Sequence, residues 1–328
     1  MDRGRSSRQP TRLPWTLDSF LRERASALAN SLDISTRRTY SSALNSWLAF
    51  VNLHHFPIEP TEDSLSFYIV FMCHHISPRS VKSYLSGLVQ QLEPDYPNIR
   101  QIRTSRLVTR TLKGCLKSHS KAIRRKEALT IHDVRFVHDR VRNPHPHDDK
   151  LFAALLVTGF HALLRLGDLT FPDDVSIRDW RKIVRRNSLI VSRDEYEFVL
   201  PMHKADKFFE GSKVLVRPFT SAFDPCIAFQ RYIDSRDQLY PAASPLWLTA
   251  DGSVPTRSFF ISRFCRFFPN SLGGASMRAG VARTGATYLA QLGTPSDLIR
   301  ALGRWTSDAW QIYIRVHPAL LHALLHHQ

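Results

Sequence analysis

The chain has 328 residues, of which 43% are hydrophobic and 11% aromatic, and its formal net charge is +16 at pH 7. This composition excludes a disordered chain, and the length suits two domains better than one small core. The positive charge favours nucleic acid as the partner over an anionic membrane surface, and no apolar run reaches the roughly 18 residues of a membrane span.

The first element is a basic segment, residues 1–15, which contains four arginines and few apolar residues. We expect a disordered arm here. A nuclear address or a transit peptide is also compatible with this composition, whereas the lack of an apolar stretch argues against a secretion signal.

Residues 16–117 carry apolar side chains at helical spacing and predict a small helical bundle. Thr61 is suited to capping the third helix, and Ser77 followed by Pro78 is suited to opening the fourth. Arg79 and Lys82 lie on the polar face of that fourth helix, opposite its apolar stripe. The other predicted segments are Thr16–Leu32, a helix from Ser35 and a helix over Arg103–Lys117.

Residues 118–128 are basic and lack apolar periodicity, so we expect an interdomain linker, with an exposed helix end as the alternative. Arg124, Arg125 and Lys126 give it the charge to follow a phosphate backbone.

Residues 129–328 predict a second domain that is helical with a small antiparallel sheet. Thr130 is suited to capping its first helix, and Gly159 is expected to break the next one. Ser188–Val191, Tyr196–Leu200 and Lys213–Arg217 are the predicted strands. Helices are expected over Pro225–Arg236, over Pro255–Phe268, from Ser276 with interruptions near Gly293 and Gly303, and from Pro318.

The four cysteines are widely spaced without a Cys-x-x-Cys pair, which favours free thiols in a reducing compartment. Cys73, His74 and His75 are adjacent, but neighbouring side chains on a helix point in different directions. We therefore expect no metal site there.

Four residues in the order Arg165, Lys204, Arg278 and Tyr313 form a plausible set for attacking a phosphodiester without a metal. Tyrosine supplies a nucleophile, guanidiniums hold a phosphate, and lysine can protonate the departing oxygen. No single residue is diagnostic, so the interpretation depends on their order and on their contexts.

Those contexts, ALLRLGDL, PMHKADKFFEG, ASMRAG and GRWTSDAWQIY, resemble the tyrosine recombinases of the phage-integrase family over roughly residues 16–328. They are most similar to the Crypton-like mobile elements of eukaryotes, particularly fungi. The resemblance implies a helical DNA-binding domain and an α+β catalytic domain that clamp duplex DNA. It also implies a 3′-phosphotyrosyl intermediate, no cofactor, a tetramer on two duplexes and a nuclear location.

The resemblance assigns Arg165 to a non-bridging oxygen of the scissile phosphate and Asp168 to orienting that arginine. Taken alone, the pair would be an ordinary i, i+3 pair on a helix surface. It assigns Lys204 to protonating the leaving 5′ oxygen, with Lys207 as a competitor for that role.

Arg278 matches the second catalytic arginine of a His-x-x-Arg box, but Ala275 stands where the family has histidine. Three explanations compete: an engineered knockout, a decayed natural copy, or an active enzyme that compensates. A lost acid–base group typically costs a factor of about 10²–10⁴ in rate, so we favour a disabled or slowed enzyme.

Tyr313 follows Arg278 by 35 residues and matches the nucleophile. The family has His or Trp nine residues before its tyrosine, and that spacing falls on Arg304. We favour its neighbour Trp305 on chemical grounds, through its indole N–H, with a packed core tryptophan as the equal alternative. His317 either stands in for the missing histidine or is a surface residue.

Three other functions remain open at this point. Ala275 keeps a non-catalytic DNA-binding descendant of a recombinase in consideration. A type IB topoisomerase-like enzyme would use the same chemistry as a monomer. A basic structural or RNA-binding protein would not need Tyr313.

Overall fold

The computed structural model describes residues 12–30, 33–120, 129–142, 144–203, 206, 210–219, 223–268 and 280–305. Contacts divide the chain into two compact units, Met1–Ile123 and Arg124–Gln328. Among the helices that these residues form, none is both long and apolar enough to cross a membrane.

The described part of the first unit is helical. Its helices are α1 (Leu17–Asn30), α2 (Ile34–His54), α3 (Glu62–His75), α4 (Pro78–Leu92), α5 (Ile99–Thr104) and α6 (Arg106–His119).

Two close helix pairs build its core, because α2 packs on α4 and α3 packs on α6. The chain needs a glycine at position 87, since a Cβ there would lie 2.9 Å from the Cβ of Ala43 on α2. Trp47 and Tyr68 are fully buried, with ring centroids 5.4 Å apart in an edge-to-face contact. The predicted cap of α3 is confirmed: Thr61 and Ser64 exchange hydrogen bonds in a capping box.

One expectation for this unit is wrong. The helix predicted over 103–117 is divided at Ser105, whose backbone is extended and whose Oγ accepts a hydrogen bond from the Val108 N–H. The apolar side chains of α1 are exposed among the described residues, with Leu17 74% and Phe20 57% exposed.

The second unit combines helices with a three-stranded antiparallel sheet in the order β1–β2–β3. The strands are β1 (Ile190–Val191), β2 (Tyr196–Leu200) and β3 (Ser212–Val216). The helices are α7 (Ile131–Arg140), α8 (His147–His161), α9 (Leu166–Leu169), α10 (Pro225–Leu239), α11 (Arg257–Phe267), α12 (Gly280–Gln291) and α13 (Ser296–Leu302). The mainly helical fold class with a small sheet is confirmed.

The buried helix α8 is the centre of this unit and packs against α7, α10, α11 and α12. Tyr196 of β2 joins the sheet to it, because its hydroxyl lies 2.7 Å from Thr158 Oγ1 while its ring stacks on Phe229 of α10. The predicted break at Gly159 is wrong, since α8 continues to His161 and the chain turns only after it.

Candidate active site

The turn after α8 presents Arg165. Leu163 adopts a left-handed backbone with φ of 52°, and the Leu164 N–H donates to the Gly159 carbonyl at 3.0 Å. Both leucine side chains are buried, and this packing offsets the roughly 1 kcal/mol that a left-handed backbone costs an L-residue. Arg165 then stands half-buried at the start of α9.

Asp168 closes the first turn of α9. Its Oδ2 accepts a 2.9 Å hydrogen bond from the Arg165 backbone N–H, and its own N–H donates to the Arg165 carbonyl. Burial raises the pKa of Asp168, while the bond from Arg165 and the charges of Arg165, Arg304 and His203 oppose that rise. The carboxyl group therefore lies within the electrostatic reach of three basic side chains.

Arg304 follows α13, much later in the sequence, but its side chain is bonded to the turn that leads to Arg165. Its backbone is left-handed, with φ of 52°, at the turn that ends α13. Its Nη2 donates a 2.8 Å hydrogen bond to the carbonyl of Ala162, three residues before Arg165. Burial lowers the pKa of Arg304, Asp168 opposes this, and Arg165 adds to it.

Trp305, the residue that the sequence favoured, lies in a hydrophobic cluster. It is 9% exposed and packs with Leu163 and Ile299. Gly303 also touches the ring closely enough that a Cβ at that position would overlap it. Its catalytic role stays a prediction, but the side chain that interacts electrostatically with Arg165 and Asp168 is that of its neighbour Arg304.

His203 enters from the loop after β2. It is partly exposed, and its Nε2 lies 3.1 Å from the Ser212 hydroxyl at the start of β3. Burial lowers the pKa of His203, the charge of Arg304 adds to that effect, and Asp168 opposes it. The β2–β3 hairpin thus brings the residue before Lys204 to the arginines.

The structure brings Arg165, Asp168, Arg304 and His203 together. We call these four residues the arginine cluster. Sequence reasoning missed His203 and placed Arg304 second, although the nine-residue spacing to the tyrosine had indicated it. Several predicted site residues lie outside the described residues: Lys204, Lys207, Ala275, Arg278, Tyr313 and His317.

In the first unit, Arg79 and Lys82 are exposed on α4, as their predicted role in DNA binding requires. Arg103 adds a further basic side chain beside α4, since its Nη2 donates a 3.0 Å hydrogen bond to Ser86 Oγ. Ser86 lies four residues after Lys82 on the same face of α4. Arg124, Arg125 and Lys126 lie outside the described residues.

Within the described ranges, no group of three or more His, Cys, Asp or Glu side chains is arranged to hold a metal ion. The polar groups of the arginine cluster are mainly nitrogen donors, with one carboxylate. Such a set suits an anionic ligand with several oxygen acceptors, which is what a phosphate offers.

No protein-family model matches the chain, and no curated protein does. Solved structures do match. The XerH site-specific recombinase in a post-cleavage complex with its difH substrate has a TM-score of 0.60 and 17% identity, over 88% of this chain and 78% of that one. A lambda integrase tetramer on a Holliday junction has a TM-score of 0.56 and 14% identity, over 91% and 77%.

A lambda integrase dimer on a core site gives a TM-score of 0.54 at 14% identity, over 91% of this chain and 95% of that one. The chain has the fold of the tyrosine recombinases. At these identities the likeness establishes the fold alone.

Proposed function

We propose that this protein is a tyrosine recombinase of the Crypton-like type that cuts and rejoins DNA strands in the nucleus, with Tyr313 as the nucleophile. The observation that carries the proposal is the meeting of Arg165, Asp168 and Arg304 in the fold of the tyrosine recombinases. Two guanidiniums within electrostatic reach of one carboxylate give a site with excess positive charge, which suits a backbone phosphate.

In the proposed reaction, Arg165 and Arg278 bind the non-bridging oxygens of the scissile phosphate. The phenol of Tyr313 loses its proton to solvent as its oxygen attacks phosphorus. The bond from phosphorus to the 5′ oxygen breaks as Lys204 protonates that oxygen. A 5′ hydroxyl from another strand then reverses the attack. The covalent link conserves the bond energy, so no external energy source is required.

The position of α12 supports the place of Arg278 in this reaction. The helix begins at Gly280, two residues after Arg278, and packs against α8 and α9. Since α9 is the helix that begins after Arg165, the helix that follows Arg278 in the sequence packs beside the helix that follows Arg165.

The DNA partner is supported by the net charge and by Arg79, Lys82 and Arg103 in the first unit. Strand exchange between two duplexes requires four active sites, so we propose a tetramer on DNA. Phosphate contacts release counterions, so affinity for duplex DNA should fall steeply as salt is raised from about 50 to 200 mM.

Ala275 favours a second candidate, a DNA-binding protein that no longer cuts, because alanine cannot carry a proton in the place where the family has histidine. Both candidates use the same fold and the same basic residues. They differ in whether a phosphotyrosine bond forms.

One experiment separates the two. Duplexes that the protein selects from a random-sequence pool are nicked at successive positions, so that cleavage releases a short strand and traps the covalent complex. Complexes that survive denaturation are then counted for the wild type, Tyr313→Phe, Ala275→His and the control Tyr240→Phe. Tyr240 is chosen because its hydroxyl is engaged elsewhere, with the Ala250 carbonyl at 2.6 Å.

A recombinase loses the covalent complex in Tyr313→Phe, keeps it in Tyr240→Phe and gains about 10²-fold or more in rate in Ala275→His. Tight binding without a covalent complex in the wild type and in Ala275→His establishes the binding protein instead. Relaxation of supercoils without strand exchange indicates a topoisomerase.

A further inference from the structure

We propose that Arg304, and not Trp305, is the side chain that contacts the scissile phosphate beside Arg165. This inference rests on the proposed function for the identity of the anion, and it assigns Trp305 to holding Arg304 in place.

The first support is the anchoring of the Arg304 side chain. The hydrogen bond from Nη2 to the Ala162 carbonyl, at 2.8 Å, is the one that its guanidinium makes among the described residues. A guanidinium carries five N–H donors in a rigid planar fork. One donor fixes the group to the turn that presents Arg165, and, as far as the described residues go, the other donors are left for an anion.

The second support is the charge of the arginine cluster. The single carboxylate of Asp168 lies in the electrostatic reach of two permanently charged arginines, so the cluster carries an excess positive charge. A partly buried guanidinium is costly unless it is paired. A phosphate between Arg165 and Arg304 supplies the missing negative charge.

The third support is the position of Trp305. Its ring is buried with Leu163, Ala286, Leu289 and Ile299, and it lies against Gly303. Moving the indole to a phosphate would empty this cluster, which costs about as much as a large-to-small substitution in a core. In place, the ring holds the left-handed turn and so directs Arg304 towards Arg165.

The test measures binding to a series of selected duplexes, each with one phosphate replaced by an uncharged methylphosphonate. In the wild type, one position should weaken binding by about 10- to 100-fold, the scale of a charge-assisted hydrogen bond. In Arg304→Ala, the natural duplex should bind more weakly by a similar factor. The methylphosphonate penalty at that position should be clearly smaller than in the wild type, and the part that remains belongs to Arg165 and Arg278.

Trp305→Phe keeps the packing and removes the indole N–H, so it should keep the wild-type penalty at that position. Arg304→Lys should recover only part of it, because a point charge cannot bond Ala162 and a phosphate as the planar fork does. Thermal unfolding of each variant identifies any loss of the fold. If Arg304→Ala retains the full penalty, or Trp305→Phe abolishes it, the assignment of Arg304 is wrong.

The covalent assay on the same duplexes keeps this inference separate from the proposed reaction. If the wild type forms no covalent complex, but the methylphosphonate weakens its binding more than that of Arg304→Ala, strand transfer is rejected and the phosphate contact is supported. If the wild type forms a covalent complex, but the methylphosphonate weakens binding equally in the wild type and in Arg304→Ala, strand transfer is supported and the Arg304 contact is rejected.

Discussion

The backbone N–H of Arg165 donates a 2.9 Å hydrogen bond to Oδ2 of Asp168. The bond closes the turn and fixes the direction in which the Arg165 side chain leaves the backbone. Asp168 thereby serves the site in two ways, since its carboxylate also places a negative charge within electrostatic reach of Arg165 and Arg304.

Asp168→Asn should lower activity without lowering stability at pH 7. Burial raises the pKa of Asp168, so folding favours its protonated form. The resulting stabilisation is present below the ordinary Asp pKa and is lost as pH rises through the pKa of Asp168 in the folded protein. Asparagine keeps an acceptor for Arg165 but carries no charge. We expect equal or higher thermal stability than the wild type at pH 7, a difference that vanishes near pH 3, and a slower covalent step by about 10-fold.

The control is Asp173→Asn, which should change the stability at pH 7 in the opposite direction. Burial pushes the pKa of Asp173 up, but hydrogen bonds from Ser258 and Thr256 outweigh it and lower the pKa overall. Its ionised form is therefore stabilised by folding, and Asp173→Asn should lose stability at pH 7. A loss of stability at pH 7 in Asp168→Asn as well would contradict the prediction.

His161 should make the second unit sensitive to acid. Its side chain is buried, and Nδ1 lies 3.0 Å from the Val157 carbonyl, which requires Nδ1–H to be the donor. Burial lowers the pKa of His161 to about 4, the Val157 bond and Asp224 oppose the change, and His138 adds to it. Stability is then complete above pH 6.5 and falls between pH 6.5 and 4, by roughly 3 kcal/mol.

Urea unfolding at several pH values measures this loss. His161→Phe should flatten the dependence in that window, and His161→Phe combined with His138→Phe should flatten it further, because burial also lowers the pKa of His138. The exposed His132 provides the control, and His132→Gln should leave the wild-type dependence in place. An unchanged slope in His161→Phe would show that another group carries the acid sensitivity.

Local chemistry in the sequence was enough to predict much of the fold. The caps at Thr61 and Thr130 and the Pro78 opening of α4 depend on neighbouring residues only, and each is found in the structure as predicted for the helix that follows. The Ser105 break offered the same kind of signal, since serine is a favoured N-cap, but the continuous apolar spacing concealed it.

Two features of the structure depend on long-range packing and could not be predicted from neighbouring residues. The end of α8 is set by the buried Leu163 and Leu164, not by the flexible Gly159 inside the helix. Likewise, the choice between Arg304 and Trp305 depends on a cluster that joins Leu163 to residues of α12 and α13. The nine-residue spacing to Tyr313 indicated Arg304, but only the packing shows that the ring of Trp305 fills the cluster.

Thiol reactivity should distinguish the four cysteines. Cys265 is exposed, whereas Cys73 and Cys115 are buried in the first unit. Burial, together with neighbouring Cys115, raises the pKa of Cys73 to about 12, and burial with Asp224 raises that of Cys226 to about 12. A chromogenic disulfide should therefore modify one thiol of the native protein rapidly, and Cys265→Ser should remove that phase. A rapid phase that survives in Cys265→Ser would contradict this.

Gly285 sets how closely α12 approaches α8. A Cβ at this position would overlap the carbonyl oxygen of Phe160 and lie 2.5 Å from Cδ2 of Leu163. Because backbone cannot move aside as a flexible side chain does, Gly285→Ala should lower the free energy of unfolding by about 1–3 kcal/mol. Chemical denaturation checks this, with Gly114→Ala as the matched helical control.

Gly114 lies on α6 with nothing within 4 Å of its added Cβ, so alanine there should raise stability by about 1 kcal/mol through helix propensity. The two variants make the same chemical change, and only Gly285→Ala displaces the helix that follows Arg278. Gly285→Ala should therefore also slow formation of the covalent complex under conditions in which the variant remains folded, while Gly114→Ala leaves that rate unchanged. Equal rates in the folded variants would mean that the distance between α12 and α8 does not affect the covalent step.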